Sequence, residues 1–188
     1  MRSEINIKGM ICSRCLRVLS SELNVAKAHV VTIELGKIIV EHDPVQLSLQ
    51  NIQEIIEASD FEVIWNDSNI LAEKTKKWVI SFVWNHHHSQ PDVLSEYLTK
   101  NLYKSYDHIS KNFKSIFGFT IERYYIILKV ERSKELIEYG QLTFAEIAFE
   151  LGYQNASALS RIFKRETGMT ASEYSKLEVS QRIPIDKI

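Results

Sequence analysis

The sequence predicts an α+β chain in two parts, and three observations predict it. Every segment with a strand period falls before residue 66, and only helical patterns follow. A shift of 50 residues aligns positions 96–124 with 146–174 without a gap, which marks a duplicated unit in the second part. Charge is also uneven: residues 1–70 carry 6 basic and 10 acidic side chains, whereas residues 71–188 carry 17 and 14. Two regions with different partners follow from that asymmetry.

Composition narrows the class. With 188 residues, 45% apolar and 25% charged, and with only six Gly and three Pro, the chain is globular and dominated by regular elements. Its longest uncharged apolar run, Trp78–Trp84, is far short of the roughly 20 residues that a membrane span requires. The N-terminus lacks an apolar h-region and a cleavage site, so a cytoplasmic protein with no membrane partner is expected.

In the first part, Glu4–Lys8 alternates with Ile5 and Ile7 on one face, and Gly9 ends the strand. From Ser13, read as the N-cap, Cys15, Leu16, Val18, Leu19 and Leu23 follow a helical period. Two β-rich runs, His29–Leu35 and Lys37–Glu41, are separated by Gly36 as a tight hairpin connection. A helix over about residues 47–59 and a closing strand at Phe61–Trp65 complete a βαββαβ order. That order predicts a ferredoxin-like split-βαβ sandwich over residues 1–66.

The only cysteines, Cys12 and Cys15, stand in Gly9-Met10-Ile11-Cys12-Ser13-Arg14-Cys15 between the first strand and helix. Over residues 3–66 this resembles the heavy-metal-associated domain of copper chaperones and metal-pumping ATPases. The resemblance implies soft-metal binding by both thiolates. Independently of it, a loop cysteine and a first-turn cysteine can converge at a helix N-terminus, where the macrodipole and Arg14 favour thiolate. Two soft thiolates favour cuprous copper, silver or mercuric ion, while zinc or cadmium would need further ligands. A redox dithiol and a scaffold that no longer binds metal remain alternative readings of the same residues. Met10 reads as core.

The second part, residues 67–178, repeats itself. Identities fall at Glu96/Glu146, Tyr103/Tyr153, Ser110/Ser160, Phe113/Phe163, Lys114/Lys164, Gly118/Gly168, Thr120/Thr170 and Tyr124/Tyr174. In each copy a short helix leads through a turn to a second helix, with Ser105 or Asn155 as N-cap and Gly118 or Gly168 just past its end. These are two helix-turn-helix units, joined by a long helical pattern over Ile121–Tyr139. Such units put their second helices into successive major-groove segments, about 34 Å apart on double-stranded DNA.

The run from Leu142 to Tyr174, with Leu151-Gly152-Tyr153 and Ser160-Arg161-Ile162-Phe163-Lys164, closely resembles the AraC/XylS family of bacterial transcription regulators. The resemblance covers about residues 69–177 and implies recognition helices at Ser105–Phe117 and Asn155–Thr167. It implies groove-facing Asp107, Ser110 and Lys111 in the first, and Ala156, Ser157, Ser160 and Arg161 in the second. Lys114 and Lys164 suit phosphate contacts. The first copy departs from the family in carrying Leu102 where the turn usually has Gly. It also carries Asp107, which repels phosphate and suits a cytosine amino group. Copy one is therefore expected to be the weaker base reader.

Three further features complete the reading. His86-His87-His88 splay by roughly 100° each on a helix and suit a polar C-terminal boundary, the alternative being that one of them completes a metal site. Residues 179–188 read as a loosely ordered tail. No Ser/His/Asp arrangement, phosphate loop or supported carboxylate pair is present, so no enzyme is expected. The sequence thus points to a DNA-binding regulator controlled by a soft metal ion, with a homodimer open as a further assembly. Its rivals are a redox-controlled or metal-independent regulator whose first domain is a contact scaffold, and a metal chaperone.

Overall fold

The computed structural model describes residues 1–85 and 93–188, so the histidine run 86–88 lies outside the described residues. The chain divides into two compact units, Met1–Lys77 and Trp78–Ile188.

The first unit follows the order β1 (Arg2–Lys8), α1 (Ser13–Val25), β2 (His29–Glu34), β3 (Lys37–Glu41), α2 (Leu49–Ala58), β4 (Glu62–Ile64) and the start of α3 (Asp67–Asn85). Its sheet runs β2-β3-β1-β4 with every neighbouring pair antiparallel. Alternation in β1 buries Ser3, Ile5 and Ile7, and the register sets Ile5 opposite Ile38. Ile5, Ile7 and Ile38 join Val40, Val63, Leu19 and Leu23 of α1, and Ile52 and Ile56 of α2 in one core. Met10 is a core residue, 2% exposed. Ser48 and Asn51 form a reciprocal capping box that starts α2, and Gly36 takes the left-handed conformation that closes the β2–β3 hairpin.

One local expectation changes. Ser13 is the first helical residue of α1, and Cys12 occupies the cap in an extended conformation without a side-chain capping bond. The chain turns into the helix one residue early, so a thiol stands where a hydroxyl was expected.

The second unit contains the rest of α3, α4 (Leu94–Leu102), α5 (Tyr106–Phe117), α6 (Ile121–Tyr139), α7 (Phe144–Glu150), α8 (Ala156–Thr167) and α9 (Ala171–Tyr174). The duplication is structural down to side chains. Leu98 and Ala148, Ile109 and Leu159, Phe113 and Phe163, and Tyr124 and Tyr174 are buried at equivalent places. Phe113 meets Tyr124 and Phe163 meets Tyr174 with the same ring separation, 5.7 Å. Ser105 and Asn155 cap α5 and α8, Thr120 and Thr170 cap α6 and α9, and Gly118 and Gly168 share φ +80°.

The copies differ in the turn. In the second, Gly152 supplies the left-handed residue after α7; in the first, Leu102 stays helical and the left-handed conformation falls on Tyr103, with φ 53°. Without glycine at 102 the helix runs on, and an exposed tyrosine takes the strained position.

Helix α6 is buried nearly all round, which a helix at the centre of a domain requires. Its polar residues are matched by the segment after residue 179, which is not a loose tail. Lys134 Nζ donates to the Gln181 carbonyl at 3.1 Å, the Ile183 amide donates to Glu131 at 2.9 Å, and Ser180 donates to Glu138 at 2.7 Å. Ile185 and Ile188 then pack on the core of the first copy, against the cluster of Val79, Leu98 and Phe113. The reason is charge pairing: Glu131 and Glu135 are buried on α6, and buried carboxylates need donors.

Candidate nucleic-acid interface and thiolate pair

Burying Ile109 and Phe113 on one side of α5, and Leu159 and Phe163 on one side of α8, leaves the opposite faces to solvent. On α5 those faces carry exposed Asp107, Lys111 and Lys114, with Ser110 half-buried. On α8 they carry exposed Ser157, Arg161 and Lys164, with Ala156 and Ser160 half-buried. The residues expected at a DNA surface thus lie at accessible places on the second helix of each copy.

The two faces are unlike electrostatically. Lys111 Nζ bonds Asp107 Oδ2 at 2.8 Å, one turn apart, so the α5 face is largely self-neutralised. On α8 the nearby acid, Glu166, turns inward: it takes Arg123 at 2.6 Å and Arg165 at 2.9 Å. Burial opposes ionisation of Glu166, yet the two guanidinium groups hold its carboxyl below the usual carboxylate range. Arg165, one turn beyond Arg161 and exposed, lies on this face while paired to Glu166, which it shares with Arg123, and is outside the positions that the family resemblance implies. Its i, i+4 spacing from Arg161 is the signal that could have found it.

Lys129 sits at the junction of the copies. Its ammonium lies 3.7 Å from the ring centre of Tyr153, in the second copy's turn, and 4.9 Å from that of Tyr125. Burial pushes it down to about 8.

In the first unit Cys12 Sγ and Cys15 Sγ are 3.3 Å apart, with Cys12 exposed and neither in a disulfide. Desolvation opposes the Cys12 thiolate, but the Cys15 amide and thiol and the Arg14 amide and charge outweigh it, and the thiol lies below its ordinary value. Metal–thiolate bonds of about 2.3 Å let both sulfurs reach one ion. Among the described residues no group of three or more His, Cys, Asp or Glu is placed to hold a metal. Among the described residues the two thiols are thus two donors, short of the four of a tetrahedral site. A small cavity lined by Met10, Ile11, Ile70, Glu73 and Lys77 joins the cysteine loop to the first turns of α3. Burial raises the Glu73 carboxyl, against the pull of Lys76, Lys8 and the Gly9 amide.

Comparison with known proteins bears on the second unit. Residues 98–177 match the family model described as a helix-turn-helix domain. The HTH-type transcriptional activator RhaR of Escherichia coli O1:K1 is 30% identical over 69 residues, which cover 37% of this chain and 24% of that protein. RhaR of Salmonella arizonae is 29% identical over the same length and the same shares. The chain thus spans about a quarter of the length of the curated relatives it matches. Among solved structures, the C-terminal domain of AraT, a response regulator from Geobacillus stearothermophilus, is 22% identical with a TM-score of 0.49, covering 61% of this chain and 91% of that one. The DNA-binding domain of AdpA in complex with a target DNA is 26% identical with a TM-score of 0.45, covering 54% and 89%. No described helix is long and apolar enough to cross a membrane.

Proposed function

We propose that the chain is an AraC-type transcription regulator that binds double-stranded DNA through α5 and α8, under control of a soft metal ion held by Cys12 and Cys15. The observation that carries the DNA reading is the duplicated helix-turn-helix, with equivalent caps, cores and solvent-facing helices within residues 98–177. Arg161, Lys164 and Arg165 on α8 supply attraction to phosphate and base edges. We read the antiparallel order β2-β3-β1-β4 of the first unit as the ferredoxin-like sandwich that the sequence leads one to expect.

Support for metal control is local. Two thiols 3.3 Å apart, one with a depressed pKa, favour cuprous copper, silver or mercuric ion. The loop that carries them shares a cavity with α3, so reorganising the loop on binding has an element to act on. A sensor must hold its ion with different affinity in its two states.

The deciding experiment measures operator affinity of the full chain, from selected duplexes, with and without one equivalent of cuprous ion, alongside the Cys12→Ser/Cys15→Ser double variant. The reading expects a change of roughly 5–150-fold that the double variant abolishes, the range of allosteric coupling. Equal affinities with stoichiometric metal retained would leave the first unit a scaffold. A reversible response to dithiol oxidation alone would favour the redox rival, since sulfurs at this separation are also poised to join.

A further inference from the structure

The two recognition helices share a frame and differ in chemistry at two positions. With the 50-residue offset, Asp107 and Lys111 of α5 stand where Ser157 and Arg161 stand in α8. In α5 the two side chains close on each other at 2.8 Å, although they are 73% and 78% exposed. At the matching place α8 offers a serine and no carboxylate.

Inside a major groove this difference separates two tasks. Arg161 brings an unmatched positive charge, which draws phosphate and guanine alike. The α5 pair brings no net charge, so it adds little to backbone attraction or to its salt dependence. What the pair does bring is an acceptor beside a donor at fixed spacing. A carboxylate only accepts, and the donors on the groove floor are the exocyclic amino groups of cytosine and adenine. An ammonium only donates, and guanine presents it two adjacent acceptors, O6 and N7, where thymine presents one beside a methyl group. An exposed pair one turn apart is weak, so Asp107 can turn one oxygen to a base while Lys111 keeps hold of the other.

We infer that Asp107 and Lys111 form the discriminating element of the first helix-turn-helix unit and read one C·G pair. Asp107 accepts from the cytosine amino group and Lys111 donates to guanine O6 and N7. This rests on the proposed DNA binding and deepens it: α8 brings the stronger charge and its own base contact through Arg161, and α5, the weaker reader, adds discrimination at one position. Guanine or thymine opposite Asp107 leaves a carboxylate facing acceptors, and adenine, though it offers a donor, brings a thymine partner that gives Lys111 one acceptor in place of two.

The test is selection from a randomised duplex pool with the full chain, repeated with Asp107→Ala and Lys111→Ala at one salt concentration. The parent is expected to enrich C·G at one position by on the order of tenfold, the size of one direct base contact. Asp107→Ala should flatten that position alone, leave the others unchanged, and bind unrelated duplex more tightly. Its slope of log affinity against log salt should steepen by about one, because Lys111 then meets a phosphate. Lys111→Ala should weaken preference at the same position. An unchanged preference in Asp107→Ala overturns this inference while leaving DNA binding intact, and enrichment of A·T at the dependent position overturns the assignment to cytosine. A parent chain that enriches no sequence removes the DNA-binding reading and this inference with it.

Discussion

Arg182 donates to the Glu135 carboxylate at 2.8 Å across 47 positions of sequence, while the other oxygen of Glu135 accepts from Trp84 at 3.0 Å. Arg182→Ala leaves a buried carboxylate with one donor fewer, at a cost of about 1–2 kcal/mol in the stability of the second unit. Urea denaturation followed by tryptophan fluorescence measures it. A midpoint equal to the parent's would show that the Arg182–Glu135 bond adds nothing to stability.

The same carboxylates set the acid limit. Burial works against ionisation of Glu135, but Arg132, Trp84 and Arg182 hold its carboxyl below the ordinary 4.5, as Arg123 and Arg165 do for Glu166. A depressed folded pKa gives stability that is complete above the unfolded value and is lost as pH falls through the folded one. Denaturation midpoints should therefore be flat from pH 7 to 5 and drop below about 4.5, with a shallower drop in Arg123→Ala. A steeper or equal slope in that variant would contradict the assignment.

Lys129 acts in the opposite sense. Its folded pKa, about 8, lies below the ordinary 10.5, so between those values the unfolded chain binds more protons and stability rises with pH. At neutral pH the buried charge is a cost that the faces of Tyr125 and Tyr153 offset in part. Lys129→Met should raise stability at pH 7 by about 1–2 kcal/mol and abolish the rise between pH 8 and 10.5. Retention of that rise in the variant would assign it to another group.

Tyr103 is 89% exposed and left-handed, so glycine there loses little packing and relieves strain. Tyr103→Gly is expected to stabilise by about 0.5–1 kcal/mol, the relieved strain exceeding the freedom glycine adds to the unfolded chain. Thermal unfolding gives the answer, and a lower midpoint would mean that the tyrosine makes a contact worth more than its strain.

On DNA, Arg161→Ala should cost about 1–3 kcal/mol at a selected site and relax preference at one position, whereas Lys164→Ala should weaken all sequences evenly and lower the salt slope by about one. Exchanged behaviours would mean that α8 is rotated in the groove, with Lys164 at the bases and Arg161 at the phosphates.

How much of this was legible follows from the range of each signal. The bounds of α6, Ile121–Tyr139, could be read from the chain because glycine at 140 leaves a local mark at its end. The buried partners Phe113/Phe163 and Tyr124/Tyr174 were legible because duplication repeats the core. The role of residues 179–188 was not, since Ile183 meets Glu131 across 52 positions and no period records such a contact. Tyr103 escaped for a finer reason: losing glycine at 102 moved the turn by one residue, which depends on where α4 stops. In the site, the solvent-facing place of Arg161 came from the family resemblance, but the 2.8 Å pairing of Asp107 with Lys111 required choosing between two rotamers that spacing alone leaves free.

The anchoring of Ile183 and Arg182 to α6 also orders events in time. Helices α4 to α9 close on neighbours nearby in sequence, whereas these bonds span 47 to 52 residues and reward the chain only after both copies have formed. Contacts made after the rate-limiting barrier scarcely affect how fast a domain folds, but they govern how slowly it comes apart. Loosening this segment should leave the refolding limb of a chevron in place and lift the unfolding limb, so the grip on α6 acts as a latch on the lifetime of the folded state.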